Sequence, residues 1–200
     1  MKSIKYYIKY QLKYSLILEI LQKLKKKRIN FFIDLQSIAK GFYNKDVILV
    51  ELGRYAIEGK VSDILIQELK EFLNGLYNQF KRYDPFFVIS YDDGYCQQQK
   101  LIDASYKSGR STLNLIMDSD NDIELFRQIK KHYYQKIEEL FNKKDLSKVY
   151  YLKEYEADLI PEYCIVNGIF DSDQPDVLNV ILSTDKDLLQ VCRFTNTIQC

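Results

Sequence analysis

"VLNVILSTDKDLLQV", residues 177–191, decides how the chain is read. Val177, Leu178, Val180, Ile181 and Leu182 form a short apolar run, long enough for a strand buried on both faces. Asp185 and Asp187 follow at once, with Lys186 between them. A buried strand that ends on carboxylates is what an open parallel sheet shows at its ligand-binding edge.

Two other segments repeat the pattern. "INFFIDL" (29–35) is an apolar run closed by Asp34, and "DPFFVISYDDG" (84–94) is started by Pro85 and closed by Asp92, Asp93 and Gly94. Helical patterns separate them. Over 46–82, Ile57, Val61, Ile64, Leu65, Leu69, Phe72, Leu73 and Leu76 lie on one stripe. Residues 119–141 predict a long helix with an acidic first turn. "KVYYL" (148–152) is ambiguous, and "YEADLIPEYCIVNG" predicts a helix closed by Gly168. Pro161 fits only a first helical turn, which puts Glu156 and Asp158 at that helix's N-terminus. Strands alternating with helices predict an α/β fold with a mostly parallel sheet covered on both faces.

Residues 1–28 predict a basic amphipathic helix. Ile4, Ile8, Leu12, Leu16, Ile20 and Leu24 recur every four positions, with Ile17 and Leu21 beside them and "KKKR" at 25–28. It is expected either to dock on the domain or to serve as an arm for nucleic acid or a partner.

Composition narrows the function. The chain has 200 residues, 46% hydrophobic, with 29 Lys+Arg against 28 Asp+Glu, so any nucleic-acid contact must come from a local patch. Cys96, Cys164, Cys192 and Cys200 form no CxxC pair and His132 is the sole histidine, which argues against zinc and against a disulfide framework. No apolar run is long enough for a membrane span, and the N-terminal pattern is not that of a signal peptide, so an intracellular, reducing location is expected. No Gly-rich loop follows a strand, which argues against dinucleotide binding.

The strand-terminal acids carry the chemistry. A lone Asp after a strand is commonly a cap or turn former. Asp34, Asp92 or Asp93, Asp185 and Asp187, with Glu156 and Asp158 from a helix start, would together repel one another unless they took up protons or a cation. Oxygen-only ligands suit magnesium or manganese, and two such ions ~4 Å apart can drive phosphodiester hydrolysis.

"FFIDLQSIAKGFY", "FVISYDDG…YKSGR", "YEAD" (155–158) and "TDKDLLQ" (184–190) occur in an order that resembles the 5′–3′ exonuclease and flap endonuclease family. The resemblance covers residues 29–200 and implies a PIN-like three-layer α/β sandwich carrying an N-terminal helical extension (1–28). It implies that Asp34, Asp92, Glu156, Asp158, Asp185 and Asp187 are metal ligands of a catalytic centre holding two Mg2+ or Mn2+ ions. Lys107 and Arg110, with Lys100 as a further candidate, match residues that meet substrate phosphates. Asp92 fits the spacing to "YKSGR" better than Asp93, although Asp93 precedes a glycine as the family's aspartate often does.

The implied activity is a divalent-metal-dependent 5′ nuclease cutting DNA (5′ flaps, single strands or duplex ends) or RNA–DNA hybrids in replication or repair, in a bacterial or phage-infected cell. Two departures motivate an alternative, a catalytically inactive PIN-like binding or structural subunit. Leu159 stands where bacterial members carry an acid, and the family's C-terminal DNA-clamping part is expected to be absent, with other protein chains as its possible source. The stretch 111–148 falls where the family carries its helical arch. There Arg127, Lys130, Lys131 and Lys136 are candidate phosphate contacts, and His132, Tyr133 and Tyr134 are candidate base-stacking groups. The competing expectation is an ordinary packed helix built on Leu125, Ile129 and Ile137.

Overall fold

The computed structural model of the chain describes residues 14–35, 64–92, 120–143, 145–152, 155–183 and 185–200. Five strands form one sheet: β1 (Arg28–Asp34), β2 (Pro85–Ser90), β3 (Ser147–Tyr150), β4 (Val177–Leu182) and β5 (Thr197–Gln199). The order is β3-β2-β1-β4-β5 and every pairing is parallel. The four described helices are α1 (14–23), α2 (Ile64–Phe80), α3 (Asp120–Phe141) and α4 (Ile160–Val166).

Near-continuous burial along β1 and β4 follows from cover on both faces. One layer joins Ile29, Phe31, Ile33, Phe87, Ile89, Val149 and Leu178 of the sheet to Ile17 and Leu21 of α1, Leu69, Leu73 and Leu76 of α2, and Tyr133, Ile137 and Phe141 of α3. The other joins Phe32, Val88 and Ile181 to Ile160, Cys164 and Ile165 of α4 and to Leu188 and Val191. The result is a three-layer α/β sandwich. None of the described helices is long and apolar enough to cross a membrane.

Within the described residues the predicted strands and helices fall where the sequence puts them, with two differences in the N-terminal helix; positions 1–13 and 46–63 of the predicted helical stretches lie outside the described residues. The stripe Leu16, Ile20, Leu24 is not the docked face of α1: Leu16 and Leu24 are exposed, while Ile17 and Leu21 are fully buried. A step of four residues turns 40° too far for a helix of 3.6 residues per turn, so a run of such steps leaves any one face. "KKKR" also does not continue the helix. Lys25 N–H donates to Gln22 O and Lys26 N–H to Leu21 O, with Lys25 at φ 51°, a Schellman cap that ends α1 before β1. Lys26 is buried, its Nζ donating to Pro175 O (2.5 Å) and to Asn196 Oδ1.

The order of strands reverses between β1 and β4, which are sequence-distant neighbours. Their register is marked by a buried polar pair, Asn30 Nδ2 donating to Asn179 Oδ1 at 3.3 Å. An in-register polar pair inside an apolar sheet opposes a slip by one residue, which would strand both amides. That register sets the site, because it brings the end of β1 level with the end of β4.

Candidate metal and phosphate site at the carboxyl edge

Asp34 is the last residue of β1, in register with Ser90 of β2 and on the face that carries Phe32 and Val88. Asp92 lies two residues past Ser90. Ser183, one step beyond the paired Ile33 and Leu182, adjoins Asp34. The carboxyl ends of β2, β1 and β4 therefore present Asp92, Asp34, and Ser183 with Asp185–Asp187 side by side, at the topological switch point where open α/β sheets bind ligands.

Two hydrogen-bonded groups occupy this edge. In the first, Asp92 Oδ1 accepts the N–H of Ala157 at 2.7 Å. Ala157 sits between Glu156 and Asp158 at the start of a short 3-10 turn, Ala157–Leu159, which leads into α4. Pro161 stands in the first turn of α4, as its missing N–H requires. Glu156 is only 4% exposed, and Asp158 Oδ1 is sealed from solvent. Carboxylates sunk this far call for donors, a proton or a cation.

In the second group, Ser183 Oγ donates to Asp34 Oδ2 at 3.4 Å, a long contact, and accepts the N–H of Asp185 at 3.1 Å. Asp185 Oδ1 accepts the N–H of Asp187 at 3.0 Å and so caps the 3-10 segment Lys186–Arg193. Asp185 and Asp187 are exposed. Gln199 of β5 ties the turn from behind, its Nε2 donating to Ser183 O at 3.1 Å and to Asp185 O at 2.5 Å.

The structure thus brings Asp92 against the Glu156–Asp158 turn, and Asp34 against the Ser183–Asp187 turn. Among the described residues no three Asp, Glu, His or Cys side chains stand close enough to hold a metal ion. The donor type nevertheless fits a hard cation, because the edge offers carboxylate and hydroxyl oxygens. Asp93, Lys100, Lys107 and Arg110 lie outside the described residues, as do the side chains of Leu125, Arg127, Ile129 and Lys130. Tyr133 is buried in the core at 2% exposure, so it does not offer a ring to a base. Ile137 is buried with it, as a packed helix requires, while Lys131 and His132 are exposed.

Two members of this edge escape a sequence reading. Ser183 reads as part of a strand end, and its bridging role depends on the β1–β4 register. Gln199 belongs to a three-residue edge strand with no periodic signal. The signal for Ser183 was the Ser-Thr-Asp order itself, since hydroxyls and Asx side chains in such a turn bond to nearby backbone.

No protein-family model matches the chain, and no curated protein matches it in sequence. Solved structures do share its fold. T5 5′-exonuclease with bound divalent metal ions (zinc) superposes with a TM-score of 0.53 at 13% identity, over 86% of this chain and 54% of that one. A T5 protein co-crystallized with metal ions superposes with a TM-score of 0.51 at 13% identity, over 86% of this chain and 53% of that one. The chain spans about half the length of these structures. At this identity the likeness establishes the architecture: a central parallel sheet flanked by helices, as in the T5 exonuclease structures.

Proposed function

We propose that the chain is a divalent-metal-dependent 5′ nuclease that hydrolyses phosphodiester bonds in DNA or RNA–DNA hybrids during replication or repair. The observation that carries this reading is the alignment of Asp34, Asp92 and Asp185 beyond three adjacent parallel strands at the switch point, with Ala157, between Glu156 and Asp158, bonded to Asp92. The fold shared with a metal-bound 5′-exonuclease supports it.

Asp34, Asp92, Glu156, Asp158, Asp185 and Asp187 would hold the ions. Bound magnesium or manganese, as two ions, would supply an activated water and charge neutralisation at the leaving oxygen. Asp92 holds the Glu156–Asp158 turn against the sheet, and Ser183 keeps the Asp185 turn beside Asp34. Lys107 and Arg110, with Lys100, would hold the phosphate and favour its developing charge. Residues 29–200 would form the nuclease domain, with 1–28 as its helical extension.

The test is cleavage of 5′-flap and single-stranded DNA in magnesium or manganese. Asp34→Asn keeps the shape of the side chain and is expected to cut at least about a hundredfold more slowly. A variant that cuts as fast as wild type would overturn the assignment.

A second reading, a catalytically inactive PIN-like binding or structural subunit, is favoured by one observation: no three described carboxylates gather closely enough for an ion. It predicts no cleavage of either substrate and no rise in melting temperature with manganese, which a bound ion would give.

A further inference from the structure

Beside the carboxylates, on the opposite face of the sheet, three tyrosines form a stack. Tyr91 directly precedes Asp92, so alternation along the chain sends its ring toward the layer that holds α3. Tyr134 of α3 stacks on it at 4.0 Å between centroids with planes 19° apart. Tyr151, just past β3, stacks on it at 5.1 Å with planes 26° apart. Tyr91 is the buried middle ring at 5% exposure, and its hydroxyl donates to Glu138 one turn along α3 from Tyr134. Tyr151 is the outer ring, 42% exposed, and among the described residues no further ring stacks on it.

A stack that grows outward from the core and stops at an exposed ring offers a flat face held in a fixed orientation. Burial and the Glu138 bond hold the middle ring, and Tyr151 rests against it. Nucleic-acid bases are such groups, and stacking on tyrosine accepts any base because every base has a π-face. The place of the stack agrees with this occupant: Tyr91 directly precedes Asp92, so the exposed ring stands at the carboxyl edge where the proposed substrate is a nucleic acid strand.

We propose that Tyr151, the exposed end of the Tyr134–Tyr91–Tyr151 stack, is a base-stacking site that docks one unpaired base of a single-stranded nucleic acid beside the carboxylate edge. This rests on the nuclease reading of that edge, and it gives the site its substrate preference: a strand with an unpaired base next to the bond to be cut.

The test measures binding of a labelled oligothymidine and of an abasic oligomer of equal length, in EDTA so that nothing is cut. Wild type is expected to prefer the oligothymidine. Tyr151→Leu keeps apolar bulk against Tyr91 but removes the π-face, and it should abolish the preference, weakening oligothymidine binding about tenfold. Tyr151→Phe should retain it, and melting temperatures check that the variants are folded. A Tyr151→Leu protein that keeps the wild-type preference would overturn the inference, as would a wild type that has none. Cleavage in manganese is read separately. Base preference without cleavage by wild type sinks the catalytic assignment and upholds the stacking site, whereas cleavage without base preference does the reverse.

Discussion

Asp92 Oδ1 receives the main-chain N–H of Ala157 at 2.7 Å, across 65 residues of sequence. This one bond decides where Glu156 and Asp158 stand, because the accepted amide lies between them. A carboxylate acceptor makes it charge-assisted and stronger than a neutral bond.

Asp92→Ala is therefore expected to lose about 1–2 kcal/mol of stability, since a half-buried amide is left without its acceptor. Asp92→Asn retains an acceptor oxygen and should lose less than about half of that. Urea unfolding measures both. If Asp92 is also a metal ligand, both variants lose cleavage although Asp92→Asn loses much less stability than Asp92→Ala. Equal stability losses would show that the bond to Ala157 does not hold the turn.

Asp185 separates a structural role from a chemical one in the same way. Its Oδ1 caps the Lys186–Arg193 segment. Asp185→Ala should cost about 1 kcal/mol as a lost cap, and Asp185→Asn close to nothing, because asparagine caps as well as aspartate. The nuclease reading requires both to stop cleavage. An Asp185→Asn protein as active as wild type would reduce Asp185 to a cap.

The strands and their acidic ends were legible because both depend on local pattern. Segments of six or seven residues dense in apolar side chains, with the uninterrupted runs FFI (31–33), FFVI (86–89) and VIL (180–182), read as buried strands, and the residue at which each run stops is visible in the string. Which of those ends meet was not legible. Ser183 reaches Asp34 because the Asn30–Asn179 pair sets the register, and that pair is 149 residues apart in sequence. β5 was missed because three residues carry no period. Which of the apolar positions of α1 dock was not legible, because a repeat of four resembles helical periodicity over one or two turns and drifts off one face over a longer run, and only the packing separates buried Ile17 and Leu21 from exposed Leu16 and Leu24. Tyr133 and Tyr134 are neighbours in sequence with different fates, one in the core and one in the stack. Only the packing of α3 against the sheet separates them.

Lys25 stands at the position of the α1 Schellman cap where glycine is commonest, with φ 51°. A left-handed backbone costs a residue with a Cβ about 1–2 kcal/mol, and glycine's extra freedom when unfolded takes back part of the gain. Lys25→Gly is expected to stabilise the chain by about 0.5–1 kcal/mol and to raise the melting temperature. A lower melting temperature would mean that the Lys25 side chain itself contributes more than its backbone strain removes.

Cys164 gives the chain an alkaline weakness. Burial pushes its thiol up from 9.0 to about 12. Tyr150 moves the same way, through its own burial and through Cys164 beside it. Between about pH 9 and pH 12 the folded chain keeps a proton on Cys164 that the unfolded chain has released. Stability from this thiol is thus whole below pH 9 and drains away as pH climbs toward 12. Buried Lys26 acts in the opposite sense. Burial lowers its pKa from 10.5 despite Asp176, so just below pH 10.5 the unfolded chain holds the extra proton and this group's contribution to stability rises with pH until the unfolded lysine has also lost its proton. The comparison of wild type with Cys164→Ala isolates the thiol. In urea unfolding from neutral pH to about pH 11, the variant should start less stable by about 1 kcal/mol and lose less as pH rises, so the two curves converge. Parallel curves would show that Cys164 ionises as easily in the folded chain as in the unfolded one.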